Sequence, residues 1–295
     1  MASLNKSTIV RIRNTALRGY FRYLGPMAPG LAGRTARDLW FTAPPRMAAL
    51  PVPDGATPFE VDAQGHAVQG LVWGEGPATV YLVHGWGGRG SQLAALVTPL
   101  VEAGRRVVML DLPAHGDSDH GPAGPRRTNG VEFAKALDAA FCRFGPAEAV
   151  VAHSMGTIST YLAMRYGWLG AQRLVFIAPM VEAGSLLDQF QAALGFGPRV
   201  RRGFDKAVDQ FVGIPVAEFD ARVQARHVDP LPTLVVADRD DRQAPYADVV
   251  DFAETIGAPL VTTQGLGHRK ILRDPAVVER VVEFVAGEDS LDRTA

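Results

Sequence analysis

The sequence predicts an open, mostly parallel sheet with helices on both faces. Two observations carry that prediction. From residue 59 onward, short β-branched runs alternate with segments of helical period. Most of these runs are also apolar almost without interruption, as strands covered on both sides must be. The runs are FEVDA, AVQGLVW, ATVYLVH, RRVVMLD, EAVVAHS, RLVFIA, TLVVAD and PLVTT, which makes eight strands. Right-handed crossovers between parallel strands place the loops that follow them along one sheet edge, where such sheets assemble their sites.

The elements follow in chain order. Residues 7–24 bring Ile9, Ile12, Ala16, Leu17, Tyr20, Phe21 and Leu24 near one helical face, with Arg11, Arg18 and Arg22 elsewhere. This is an amphipathic basic helix, expected to pack on its own protein and not on an anionic membrane. Residues 25–58, rich in Pro and Gly, read as an irregular connection with a short helix around 36–41. FEVDA and AVQGLVW flank Gln64 and Gly65 and form an antiparallel hairpin. About fifty residues separate RLVFIA from TLVVAD, too many for a simple crossover, so residues 180–230 are expected to form a helical cap. The expected organisation is therefore an extension over 1–58, a core over 59–179 and 231–295, and the cap between. Within the cap some of Leu186, Leu187, Phe190, Phe204 and Phe211 should line an apolar pocket above Ser154. The alternative is that these faces bury one another and leave Arg199, Arg201 and Arg202 in solvent.

Composition narrows the class. The 295 residues are 47% hydrophobic and 21% charged, an ordinary balance for a chain with a buried core. The single cysteine, Cys142, excludes an internal disulfide and thiolate zinc sites and fits a reducing cytoplasm. Its helical surroundings, FAKALDAAFCRF, suggest a packed thiol. Residues 1–46 hold eight Lys or Arg against Asp38 alone, about +7, while the remaining 22 basic and 30 acidic residues give −8. No apolar run approaches the roughly 18 residues of a membrane span.

AHSMG at 152–156 directly follows an apolar strand and precedes a helical segment. A strand, a sharp turn and a helix hold a serine in a strained conformation with its hydroxyl exposed, and small flanking residues relieve the crowding. Ser154 is the candidate nucleophile. Taken alone, it could equally cap the following helix. His268, after the last strand in QGLGH, is placed to act as its base. Asp241, after the penultimate strand, can orient that imidazole, and the order Ser154, Asp241, His268 suits a triad on such a sheet. Asp238, Asp240 and Glu182 compete for the acid role. HGWGG at 84–88 offers backbone donors beside the serine, and the N–H groups of Trp86 and Met155 are the natural oxyanion pair. His84 is expected to brace that loop.

HGWGG, DLPAHGDS at 111–118, AHSMG, the DRDD loop and GLGH stand in an order that resembles the α/β-hydrolase superfamily over about residues 59–287. The set is similar to that of small capped esterases, lipases and thioesterases. Two positions depart from the family pattern: Ala152 replaces its usual first glycine, and Asp238 stands where a glycine commonly begins the acid loop. The resemblance implies an α/β-hydrolase fold and a Ser154–Asp241–His268 triad. It also implies attack on an ester or thioester carbonyl and no metal or organic cofactor; the apolar faces of the cap add the expectation of a medium-sized, partly apolar small-molecule substrate, and no nucleic-acid partner is expected. The same residues would serve a C–C bond hydrolase or a cofactor-free haloperoxidase, and a catalytically idle ligand-binding member of the fold is the non-enzyme alternative.

Overall fold

The computed structural model describes residues 14–287. Its sheet has eight strands, β1 (Thr57–Asp62), β2 (Ala67–Trp73), β3 (Thr79–Val83), β4 (Arg106–Leu110), β5 (Ala147–His153), β6 (Ala171–Ile177), β7 (Thr233–Asp238) and β8 (Leu260–Thr263). The helices used below are α1 (Pro29–Trp40), α2 (Val97–Glu102), α3 (Gly130–Phe144), α4 (Gly156–Arg165), α5 (Gly184–Leu194), α6 (Pro198–Val212), α7 (Ala221–Ala225), α8 (Tyr246–Thr255), α9 (Gly267–Lys270) and α10 (Pro275–Ala286).

The strand order is β1-β2-β4-β3-β5-β6-β7-β8. β2 runs antiparallel to β1 and β4, and every other pairing is parallel. Gln64 and Gly65 both take positive φ, 60° and 81°, which is what a tight hairpin between β1 and β2 requires. Every residue of β3 and β7 is buried, so both faces of the sheet centre are covered. Val83 at the end of β3 sits opposite Ala152 of β5, and Asp238 at the end of β7 opposite Thr263 of β8. This register brings the HGWGG and AHSMG loops out side by side.

The chain divides into two compact units. Of the described residues, one unit contains 14–42 together with Glu182–Phe219, and the other Ala43–Val181 with 220–287. In this division residues 43–58, 180–181 and 220–230, which the sequence reading gave to the extension and the cap, fall in the unit that holds the sheet.

In the smaller unit the expected basic helix is described only from residue 14; its portion 7–13 lies outside the described residues. The short helix expected at 36–41 is α1, seven residues longer at its start. Pro29 occupies the first turn, where its missing N–H costs nothing, so it begins the helix and does not break it. Gly33 is equally misleading. A Cβ there would lie 2.2 Å from the backbone of Gly203 on α6, so both glycines serve a close helix crossing. The aromatic side chains of the insertion are spent inside this unit: Phe190 packs on Trp40 and Phe204, Phe196 on Phe21, and Phe211 stacks on Phe41. These are the contacts the mutual-burial alternative expects; Phe204 is fully buried, while Phe190 and Phe211 are half-buried. Arg199 and Arg202 are exposed, whereas Arg201 is held by Asp205 at 2.7 Å.

Candidate active site

Only Ser154 and Met155 separate β5 from α4, and the reversal falls on the serine. Its φ is 54°, the left-handed region that non-glycine residues avoid. The turn is pinned on both sides. The Ser154 N–H donates to the Ile177 carbonyl at 3.2 Å, and the Ser154 carbonyl accepts from Thr157 and Met180, each at 3.1 Å. Neighbouring glycines are required by proximity: a Cβ on Gly85 would lie 2.7 Å from Cβ of Ser154, and one on Gly156 would lie 3.0 Å from the carbonyls of Val83 and His84. The extra methyl of Ala152 is fully buried within β5.

The loop after β3 is held by two buried imidazoles. His84 donates Nδ1–H to the Gly85 carbonyl at 2.7 Å and accepts at Nε2 from the Leu112 N–H at 2.9 Å. His115 donates Nδ1–H to the Pro113 carbonyl at 2.9 Å and accepts from the Gly87 N–H at 2.8 Å. Because a carbonyl only accepts and an amide N–H only donates, these contacts assign both rings as neutral tautomers. Burial pushes the His84 pKa down to about 3, helped by the neighbouring His115, and burial lowers that of His115 as well. The expected bracing role of His84 matches this geometry. Among the described residues no protein acceptor takes the backbone N–H of Trp86 or Met155.

The three acids of the DRDD loop separate by partner. Asp241 Oδ2 lies 2.7 Å from His268 Nδ1, while its Oδ1 accepts from the Gln243 and Ala244 N–H groups at 2.7 and 3.1 Å. Burial raises the Asp241 pKa, but the His268 contact and the two amides outweigh it and hold the carboxyl below its ordinary range. Asp238 Oδ2 accepts from Thr263 Oγ1 at 2.7 Å and the Leu266 N–H at 3.0 Å, so Asp238 ties down the loop that carries His268. Asp240 accepts from the Gly265 N–H. Glu182 is in the other unit and accepts from the N–H groups of Gly184 and Ser185 at the start of α5. Of the four acids considered, only Asp241 is hydrogen-bonded to His268. Among the described residues no cluster of three or more His, Cys, Asp or Glu could hold a metal ion.

A model of the Alpha/beta hydrolase family matches residues 80–289. The chain belongs to the α/β-hydrolase family. Solved structures similar to this α/β-hydrolase include the thioesterase domain from the curacin biosynthetic pathway, with 16% identity over 79% of this chain and 99% of that one and a TM-score of 0.57. An esterase of Pyrococcus furiosus shares 17% identity over 83% of this chain and 96% of its own, with a TM-score of 0.62. A bromoperoxidase from Bacillus anthracis shares 18% over 79% of this chain and 100% of its own, with a TM-score of 0.58. At these identities the likeness is one of fold. No curated protein matches the chain.

Besides His115, sequence reasoning missed a second residue of this α/β-hydrolase site. His153, beside the serine, is buried; its Nε2–H donates to the His268 carbonyl at 2.9 Å, and the two rings are 4.6 Å apart. Burial, followed by the nearby His268, pushes its pKa down to about 3. His153 thus carries no charge at neutral pH and anchors the backbone of His268. Its second nitrogen, Nδ1, is buried without a hydrogen-bond partner. The signal available was its place inside AHSMG, where attention falls on the serine. Gly85, Trp86, Gly88, Gln92, His153, Gln243, His268 and Arg269 line one crevice, which puts His268 at the mouth of the HGWGG loop. Cys142, expected to be packed, is exposed. The buried stripe of α3 runs through Phe133, Ala136, Leu137 and Ala140; nine residues beyond Phe133, Cys142 has turned to the opposite side.

Proposed function

We propose that this α/β-hydrolase is a serine hydrolase that cleaves an ester or thioester through an acyl-enzyme on Ser154. The reading rests on one conjunction: a serine strained at φ 54° on the tip of β5, and a histidine on the same sheet edge bonded to a buried carboxylate. Asp241 accepts the Nδ1 proton of His268, which leaves Nε2 with its lone pair available to a hydroxyl. Ser154 Oγ attacks the substrate carbonyl carbon as its proton passes to Nε2. The carbonyl π bond opens, and its oxygen carries the negative charge toward the N–H groups of Trp86 and Met155. When the carbonyl re-forms, the carbon–oxygen or carbon–sulfur bond to the leaving group breaks, and Nε2 returns the proton to that group. Water, deprotonated by the same nitrogen, then releases the acid and regenerates Ser154.

The strain at Ser154 supports this reading over that of a helix cap, because a capping serine sits in extended backbone and would not need a left-handed φ. The test is labelling by a serine-directed fluorophosphonate, with turnover measured across p-nitrophenyl esters and acyl-thioesters. Native protein should label and turn over at least one series. Ser154→Ala should neither label nor turn over above a residual level several orders of magnitude lower. Labelling that persists in Ser154→Ala would overturn the assignment.

A further inference from the structure

Among the described residues seven large hydrophobic side chains are exposed, and four of them fall within residues 23–31: Tyr23 at 70%, Leu24 at 58%, Met27 at 81% and Leu31 at 55%. Scattered single exposures are normal, but this density on one short segment is not. The segment is held from its other side. Phe21 is fully buried and packs on Phe196, and Ala32, Gly33 and Ala36 are buried, with Gly33 against Gly203. The exposed side chains are therefore displayed by an anchored backbone, and the apolar face that holds the segment in place is a different one. Tyr23 and Leu24 end one helical turn, Met27 lies in the short turn that follows and Leu31 in the first turn of α1, so the exposed apolar side chains come from three consecutive elements.

Charge selects the occupant. Residues 1–36 contain Lys6, Arg11, Arg13, Arg18, Arg22 and Arg34 and no Asp or Glu. Arg18, Arg22 and Arg34 are exposed, Arg22 lies over the Tyr23 ring at 5.7 Å, and the Arg18 guanidinium meets a carbonyl, not an acid. A second copy of the chain placed on this surface would bring two such basic segments face to face. An anionic lipid surface accepts apolar side chains below its headgroups and neutralises the arginines at them.

Against the sequence expectation that this basic segment packs on its own protein and not on a membrane, we propose that residues 23–31, with Arg18, Arg22 and Arg34, are a docking surface for an anionic lipid bilayer. Tyr23, Leu24, Met27 and Leu31 enter the headgroup boundary, while Arg18, Arg22 and Arg34 pair with lipid phosphates. No described helix is long and apolar enough to cross a membrane, so the contact lies at the surface. The proposal does not depend on the chemistry at Ser154.

The test is cosedimentation of the full chain with vesicles of phosphatidylglycerol and phosphatidylcholine in equal parts, beside vesicles of phosphatidylcholine alone. Binding to the mixed vesicles is expected, at least tenfold weaker to the neutral ones, and lost as salt rises toward about 1 M, where charges are screened within roughly 3 Å. The triple variant Leu24→Ser, Met27→Ser, Leu31→Ser should bind at least tenfold more weakly with an unchanged melting temperature, and Arg22→Glu with Arg34→Glu should do the same. Failure of the native chain to sediment, or undiminished binding by the triple variant, would overturn the proposal. So would a concentration-dependent dimer that the triple variant abolishes, since the surface would then be covered by a second copy.

Discussion

Substituting the two buried acids of the β7 loop in turn should separate orientation of the base from support of its loop. In Asp241→Asn the amide oxygen must stay where Oδ1 now accepts from Gln243 and Ala244, which turns the NH2 toward His268 Nδ1. Nδ1 can then only accept, so the imidazole proton moves to Nε2 and the ring can no longer take a proton from Ser154. Loss of kcat on the order of 10⁴-fold follows, the scale known for this tautomer reversal in serine triads, or about 5 kcal/mol of barrier. Fold stability should change little, since one neutral hydrogen bond replaces a charge-assisted one. Asp238→Asn has the opposite profile. Its oxygen best remains with Thr263 Oγ1 and the Leu266 N–H, leaving the NH2 against the Asp240 N–H that Oδ1 now serves at 2.9 Å. Two opposed buried donors cost about 1–3 kcal/mol, a fall in melting temperature of roughly 2–12 °C at about 2–4 °C per kcal/mol for a domain of this size. The kcat should fall by less than about tenfold, because His268 keeps its own partner. Ester hydrolysis and thermal melts on both variants decide the matter. If Asp238→Asn loses more kcat than Asp241→Asn, the acid has been misassigned.

Gly85→Ala should reduce ester turnover at least tenfold, because its Cβ would lie 2.7 Å from Cβ of Ser154 and push the HGWGG loop off the nucleophile; steady-state kinetics checks this. Acid stability should fall in two stages. His84, His115 and His153 have folded pKa values below the ordinary 6.5, so below that pH the unfolded chain binds more protons and stability drops by up to about 1.4 kcal/mol per pH unit for each. Asp238 and Asp241, whose folded values lie below 3.8, add their loss only as pH falls below that value. Urea midpoints measured from pH 8 to pH 3 should be flat at first and begin to fall near 6.5, and a curve flat down to pH 4 would contradict buried neutral imidazoles. Cys142→Ala should leave the urea midpoint within about 0.5 kcal/mol of native stability, while the native thiol reacts with a disulfide reagent without denaturant.

The sheet was legible because each strand carries its own signature. Uninterrupted runs such as TVYLV and TLVVAD are buried at every position, and the hairpin turn needed the positive φ that Gln64 and Gly65 supply. The long connection after β6 correctly announced helices. Its partner was not legible, because a helical period shows that an apolar face exists but not what covers it. The rings of Phe190 and Phe211 meet Trp40 and Phe41, 150 and 170 residues away, across contacts that no local pattern encodes. Pro29 and Gly33 were misread for the opposite reason: residues that break a helix in isolation were recruited by a first turn and a close crossing.

The same distinction divides the candidate site. Ser154, His268 and Asp241 could be singled out as candidates because the proposed chemistry calls for particular residue types just after particular strands, and strand ends can be found from periodicity; of their mutual contacts the structure has the His268–Asp241 bond. The residues that hold them in place act through one hydrogen bond to a distant backbone atom. His115 meets the Gly87 N–H, His153 the carbonyl of His268, and Asp238 the N–H of Leu266. Sequence spacings of 28, 115 and 28 residues follow no rule, because the order and register of the strands that these residues follow set them. Two of these three braces are buried imidazoles lacking charge at neutral pH. A neutral imidazole can pair with one donor and one acceptor at once, which a carboxylate or an ammonium cannot. His84 and His115 use that capacity in full at the HGWGG loop, whereas His153 beside the serine uses only its donor, and the proposed reaction calls on none of the three for proton transfer.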